Sequence, residues 1–250
     1  MKSKIHNQIK IFNYIVSTER FKIIFIMTIA LALYGGFVLG ESAENFIDCI
    51  ILTFQFFMFN IFMFALLFLN TLNTCSTFTK DFANYIIRLK TKKTYVKELL
   101  KNSIVLNLFH LLIFLILYFT ILNFKRFGFF GIHNYNNYEI NNLIYMIFYV
   151  FRYVIYAVLI TIVSALIFVN FKDKITMLLN SIFLVGFGMH SFDVTIKNYF
   201  SFNIWDYFNE TYYSSFMTEL SSSILFLLII EIIIMIVYKV TIKNKKMVIT

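Results

Sequence analysis

The sequence predicts an all-α, polytopic membrane protein with six transmembrane helices, on three observations. The chain has 250 residues, of which 60% are hydrophobic and only 14% charged, a balance that would leave a soluble domain of this length with far too much exposed apolar surface. Several of its stretches approach the roughly 20 apolar residues that a helix needs to cross a bilayer. Lys and Arg gather in alternate connections between those stretches, the pattern that topology imposes on a membrane chain. No length remains for a soluble domain, so residues 1–250 are expected to form one transmembrane unit. The net charge of +9 is spread along the connections instead of forming one patch, which argues against nucleic acid as a partner.

Residues 4–18 place Ile5, Ile9, Phe12 and Val16 on one side and His6, Lys10, Asn13 and Ser17 on the other. That pattern predicts an amphipathic helix in the membrane plane. A first span follows over 21–39, flanked by Arg20 and Lys22, and the long tail ahead of it distinguishes it from a cleaved signal peptide. Within it Ala32, Gly36 and Gly40 recur every fourth residue, a small-residue stripe that lets another helix approach closely. A short acidic loop with Glu41, Glu44 and Asp48 leads into a second span over 47–69. The third span is expected over 104–122, and the connection from 123 to 142 is rich in Asn and Tyr.

The fourth apolar stretch, 143–169, is longer than one bilayer requires and is interrupted by Arg152. A tight turn over 170–174 holds Lys172, Asp173 and Lys174 and separates it from a fifth span over 175–192. The loop 193–221 is aromatic and acidic, with Trp205 and several tyrosines suited to the headgroup level. A sixth span over 222–238 and a basic tail complete the chain. With the N-terminus inside, eighteen of the 22 Lys and Arg fall on the inner side and three on the outer, with Arg152 inside an apolar stretch. This split predicts that both termini are cytoplasmic.

Residues 78–101 are the longest charged run between two apolar segments. Phe82, Tyr85, Ile86 and Leu89 recur in it at helical spacing, while Lys80, Asp81, Asn84, Arg88 and Lys92 occupy other faces. A solvated linker needs no such stripe, so the pattern predicts a cytoplasmic helix lying on lipid headgroups or on a partner protein.

The residues that would carry catalysis are not there in any recognised spacing. The sequence has no GxxxxGK[ST], HExxH, CxxC or GxSxG, so it is expected not to be an enzyme and to bind no nucleotide itself. His6, His110, His133 and His190 are scattered over separate segments, which favours packing roles over a metal site. Cys49 and Cys75 lie at opposite ends of one apolar segment, about 26 residues or roughly 39 Å apart in a helix, and are expected to be packing residues.

Two ionisable side chains inside apolar stretches stand out, Arg152 and Glu231, because a charge at the bilayer centre costs a few kcal/mol. Both lie about nine residues, or roughly 14 Å, from the outer ends of their spans. Three readings stay open: Arg152 snorkels to the outer interface, the two form an ion pair, or they line a substrate path.

The layout of six spans, both ends inside, an amphipathic N-terminal helix and one large basic inner loop resembles the permease subunits of ABC-2-type transporters. Arg88-Leu89-Lys90-Thr91-Lys92-Lys93-Thr94-Tyr95 is similar to the basic, aromatic-containing turn of small permeases from bacteriocin, lantibiotic and cytolytic-peptide export or immunity systems. The resemblance implies that 78–101 contains a coupling helix that docks on a separate ATPase subunit. Phe82, Tyr85 and Leu89 would seat in its groove, with Arg88, Lys92, Lys93 and Tyr95 beside them, and Lys172 and Lys174 would make a second contact. ATP and magnesium would then be held by that partner, and a second permease copy or a homologue would complete the membrane part. It implies a bacterial plasma membrane and an amphipathic substrate, a peptide first. The loop 193–221 departs from the family pattern in having neither Gly nor Pro. A standalone membrane immunity or peptide-sequestering protein without ATP coupling is the alternative the same features allow.

Overall fold

The computed structural model describes residues 11–43, 46–55, 57–81, 91–124, 132–135, 138–171 and 216–243, with Ile175, Leu178 and Leu179. Its helices are α1 (residues 11–17), α2 (Glu19–Leu33), α3 (Phe46–Gln55), α4 (Phe57–Asp81), α5 (Lys92–Phe124), α6 (Asn142–Asn170) and α7 (Phe216–Lys243). A π-helical turn, Tyr34–Val38, and a 3-10 turn, Leu39–Ser42, continue α2. Strands β1 (Ile132–Tyr135) and β2 (Tyr138–Asn141) form an antiparallel hairpin in the connection expected to be an irregular loop. Ile132 pairs with Asn141 and Tyr135 with Tyr138, so two residues join the strands, the shortest common hairpin connection.

Side chains set the helix starts. Thr18 caps α2, its Oγ1 accepting from the Phe21 amide at 3.3 Å while donating to the Ile15 carbonyl at 2.7 Å. Thr91 caps α5 by accepting from the Thr94 amide at 3.2 Å, and Asn141 caps α6 by accepting from Leu143 N at 2.9 Å.

Among the described residues, four helices are long and apolar enough to cross a membrane: Glu19–Val38, Phe59–Thr79, Lys92–Phe124 and Leu143–Asn170. Lys92–Phe124 and Leu143–Asn170 contain the stretches expected over 104–122 and 143–169, and Glu19–Val38 covers the stretch expected over 21–39 up to its last residue. The expected span 47–69 falls on α3 and α4, with Phe56 between them outside the described residues, and the crossing stretch found among the described residues of α4 is Phe59–Thr79. The last part of that stretch carries Asn70, Thr71, Asn73, Thr74 and Thr77, which are polar, yet all five are buried. The span expected over 175–192 lies outside the described residues except at the three named above. The stretch 222–238 falls within α7, which begins at Phe216, inside the segment expected to be outer loop.

The four candidate spans alternate in direction. Phe78 meets Tyr95 with ring centroids 5.9 Å apart and Phe59 meets Phe114 at 5.7 Å, so α4 and α5 are antiparallel. Phe21 lies on His110 at 4.5 Å, and a Cβ on Gly36 would come within 2.7 Å of Ile121 Cγ2, so α2 runs parallel to α5. Tyr153 on α6 bonds to Asn60 on α4 at 3.3 Å, and one turn of α5 at Asn107 reaches both Thr71 and Thr161, so α4 and α6 are parallel. The starts of α2 and α5 and the ends of α4 and α6 therefore share one end of the bundle, called basal below. The end of α7 joins them there, because Asn170 Nδ2 donates to Thr241 Oγ1 at 2.8 Å.

Within the four-span bundle α4 is the central element, with 67% of its crossing window buried against 39% for α2. Burial concentrates in two apolar clusters. The upper one includes Ala32, Phe59, Leu67, Leu111, Phe114, Tyr118 and Ile160, and the basal one includes Ile11, Ile15, Phe21, Cys75, Phe78, Tyr95, Leu106 and Leu166. Residues 11–17 of the expected interface helix dock on the bundle through Ile11 and Ile15, which the amphipathic reading had not singled out, while Phe12 and Val16 are only partly buried.

Candidate functional site

Between the two apolar clusters lies a layer of polar side chains drawn from three helices. Asn70 and Thr71 come from α4, Asn107 and His110 from α5, and Thr161 from α6, and all five are at most 2% exposed. Each sits on the inward face of an otherwise apolar helix, so burial was secured by the neighbouring Leu67, Leu106, Leu111 and Ile160. Thr161 is nine residues from the end of α6, which puts the layer about 14 Å above the basal end.

Asn107 is the junction of the layer. Its Nδ2 lies 3.0 Å from the Leu67 carbonyl, 2.8 Å from Thr71 Oγ1 and 2.7 Å from Thr161 Oγ1. Both threonine hydroxyls spend their protons on carbonyls one turn back, Thr71 on Leu67 at 2.8 Å and Thr161 on Ala157 at 2.7 Å. Their lone pairs therefore face Asn107, and only an amide NH2 satisfies them. Asn107 Oδ1 is left to accept from Asn70 Nδ2 at 2.7 Å. Asn70 Nδ2 also lies 3.2 Å from His110 Nδ1, which is 3.1 Å from the Leu106 carbonyl. Two atoms of the layer have no hydrogen-bond partner, Asn70 Oδ1 and His110 Nε2. A buried polar atom left unpaired costs about 1–3 kcal/mol, so the layer carries unspent binding capacity.

A second polar contact closes the upper end. Tyr118 Oη lies 3.0 Å from both the Cys49 carbonyl and Thr53 Oγ1, and Thr53 donates to the Gly35 carbonyl at 3.2 Å. Gly35 and Gly36 allow this closeness, since a Cβ on Gly35 would stand 2.9 Å from Thr53 Cγ2. Basally, Asn73 Nδ2 donates to Thr18 Oγ1 at 3.2 Å, tying α4 to the joint between α1 and α2.

The residues singled out by sequence are placed as follows. Ala32 is fully buried and Gly36 packs on Ile121 of the same chain; Gly40 lies in the turn Leu39–Ser42. Lys92 and Lys93 open α5 at the basal end, Lys93 exposed and Lys92 partly so. Tyr95 is 9% exposed and its ring packs on Phe78 in the basal core. Phe82, Tyr85, Arg88, Leu89, Lys172 and Lys174 lie outside the described residues, as does the side chain of Arg152. Glu231 is exposed on α7. The expected single element over 78–101 is instead the end of α4 and the capped start of α5, with 82–90 between them. Both cysteines are buried, Cys49 in the upper cluster and Cys75 in the basal one.

Asn70, Thr71, Asn107 and Thr161 escaped the sequence reading, and His110 was assigned only to packing. The available signal was the spacing of polar residues within apolar helices: Asn70 with Thr74, Asn107 with His110, and Thr161 with Ser164 each share a helix face. No protein-family model matches the chain, and neither a characterised protein nor a solved structure matches it.

Proposed function

We propose that the chain is the membrane subunit of a transporter that moves an amphipathic substrate, most simply a peptide, out of the cell or its membrane, driven by a separate ATPase subunit. One observation carries the reading. Cationic side chains from three helices meet at the basal end: Arg20 and Lys22 open α2, Lys93, Lys97 and Lys101 line the first turns of α5, and Lys239 and Lys243 close α7; all are exposed. The connection 82–90, with its Phe82, Tyr85 and Leu89 stripe, starts and ends on that same platform, as a docking element for a soluble partner would.

A cationic end is the cytoplasmic end by charge asymmetry, which supports a bacterial plasma membrane protein with both termini inside. Six crossings agree with the meeting of Asn170 and Thr241, because α6 and α7 then cross in the same direction with one return between them. The absence of a nucleotide motif from the sequence puts ATP and magnesium on the partner. Arg152 and Glu231 remain candidates for the substrate path of a subunit that works with a second copy or a homologue.

The test is co-purification with the candidate ATPase from detergent, with ATP hydrolysis followed, for wild type and for Tyr85→Ala, Leu89→Ala and Arg88→Glu. Loss of co-purification in the variants while wild type binds is the expected result. A standalone immunity or peptide-sequestering protein is the second reading, favoured by the tightly closed bundle around Asn107 and Gly36. Wild type that retains anionic lipid and never binds an ATPase establishes that reading in place of the first.

A further inference from the structure

The polar layer does not satisfy itself, and the shortfall cannot be removed by turning an amide. Flipping Asn70 would set its Oδ1 against Asn107 Oδ1 at the 2.7 Å now spanned by a hydrogen bond. Flipping Asn107 as well would turn its Oδ1 onto the lone pairs of Thr71 and Thr161, whose protons are committed to Leu67 and Ala157. Asn70 Oδ1 is therefore held pointing away from the amide pair, with a lone pair to offer. The imidazole is held in the same way. His110 Nδ1 is engaged by Leu106 O and Asn70 Nδ2 whichever ring nitrogen carries the proton, and Nε2 is left over in either tautomer.

We propose that Asn70 Oδ1 and His110 Nε2 are the two protein partners of a bound water molecule, buried among α2, α4 and α5 in the apolar part of the bundle. The inference is independent of the transport reading. Chemistry chooses the ligand: Asn70 Oδ1 needs a donor, and Nε2 needs a donor or an acceptor according to tautomer, so the ligand must be able to do both. Size chooses it again, since Asn70, Asn107 and His110 are 1%, 2% and 2% exposed and the ring of Phe21 stands 4.5 Å from the imidazole. Nothing larger than a water reaches such a place without unpacking the helices. One imidazole nitrogen and one amide oxygen are too few ligands for a transition metal. Buried water is found where otherwise unsatisfied polar groups converge, which is the situation here. Asn70 Nδ2 lies 3.2 Å from His110 Nδ1, so the two unfilled atoms belong to side chains in direct contact.

The experiment is water-edited magic-angle-spinning NMR on the full chain in lipid bilayers, with labelled histidine and phenylalanine. His110 signals are assigned by their loss in His110→Gln, or, if that variant does not fold, by elimination with His6→Gln, His133→Gln and His190→Gln. Polarisation from water is expected to reach the His110 ring several-fold sooner than the ring of Phe114, which is fully buried in the upper cluster against the rings of Phe59 and Tyr118. A His110 ring that builds up as slowly as Phe114 means that the site is dry and overturns the proposal.

Discussion

Asn70 and Asn107 face each other across the α4–α5 interface with 2.7 Å between amide nitrogen and carbonyl oxygen, in the narrow seam between two apolar clusters. Neither side chain could be buried alone at tolerable cost, and each fixes the orientation of the other. The pair also bears on the vertical register of the helices, because sliding α4 by one turn brings Leu66 or Leu67 to Asn107 in one direction and Asn73 or Thr74 in the other. Replacing Asn107 by leucine removes four contacts to neighbouring helices and strands Asn70. At about 0.6 kcal/mol for an average interhelical bond in a membrane, a loss of about 2 kcal/mol is expected. Reversible unfolding in mixed micelles measures it, and Thr161→Val should cost only about a quarter as much, near 0.6 kcal/mol.

Gly36 is held by space and not by backbone conformation. With Ile121 Cγ2 only 2.7 Å from the place a Cβ would take, Gly36→Ala is expected to destabilise by about 1–3 kcal/mol, as overpacking does. Ile121→Ala in the same chain should return part of that loss. A double-mutant cycle reads the coupling, and strict additivity of the two changes would contradict the contact.

Tyr118 offers a substitution that keeps volume and removes one hydroxyl. Tyr118→Phe leaves the stacking on Phe114 at 5.7 Å intact but deprives Thr53 and the Cys49 carbonyl of a partner. A loss of about 0.6–1.7 kcal/mol is expected in the same unfolding measurement. A variant as stable as wild type would mean that the upper polar contact contributes nothing.

The junction of α6 with α7 is open to cross-linking. With Cys49 and Cys75 replaced by alanine, Asn170→Cys and Thr241→Cys should join on mild oxidation, since the native side chains meet at 2.8 Å. Asn170→Cys with Met217→Cys, at the opposite end of α7, should not join. Cleavage at a protease site inserted in 193–215 makes the outcome visible on a gel, as fragments that separate or stay together.

The helical, apolar character of the chain was legible because long apolar stretches announce themselves: 104–122 and 143–169 lie inside observed apolar helices, and 21–38 lies in α2 and the turn that continues it. The small-residue stripe was equally plain in Ala32 and Gly36, although its partner, Ile121, is 85 residues away and carries no signal of its own. What sequence obscured was the second crossing. Its Asn and Thr residues read as an approach to water, whereas Thr71, Thr74 and Thr79 hide their hydroxyls on carbonyls of their own helix and Asn70 hides in Asn107. Hydropathy scores a side chain by its chemistry and cannot see such a partner. The polar layer was invisible for the same reason, since it exists only once three helices are in register. The hairpin over 132–141 was missed because its strands are only four residues each and Ile132-His133-Asn134-Tyr135 carries no alternation of apolar and polar residues.

The alternation of directions in the bundle has a consequence for how the protein comes into being. Each helix of the four-span unit after α2 packs on helices that precede it in the chain: α4 on α2, α5 on α2 and α4, α6 on α4 and α5. A nascent chain leaving the ribosome thus offers each new helix partners already inserted, while several polar groups gain their contacts only later: Asn70 and Thr71 when Asn107 of α5 arrives, and Asn107 and Asn60 when Thr161 and Tyr153 of α6 do. The last helix, fastened to α6 through Thr241, closes the assembly after everything else is in place.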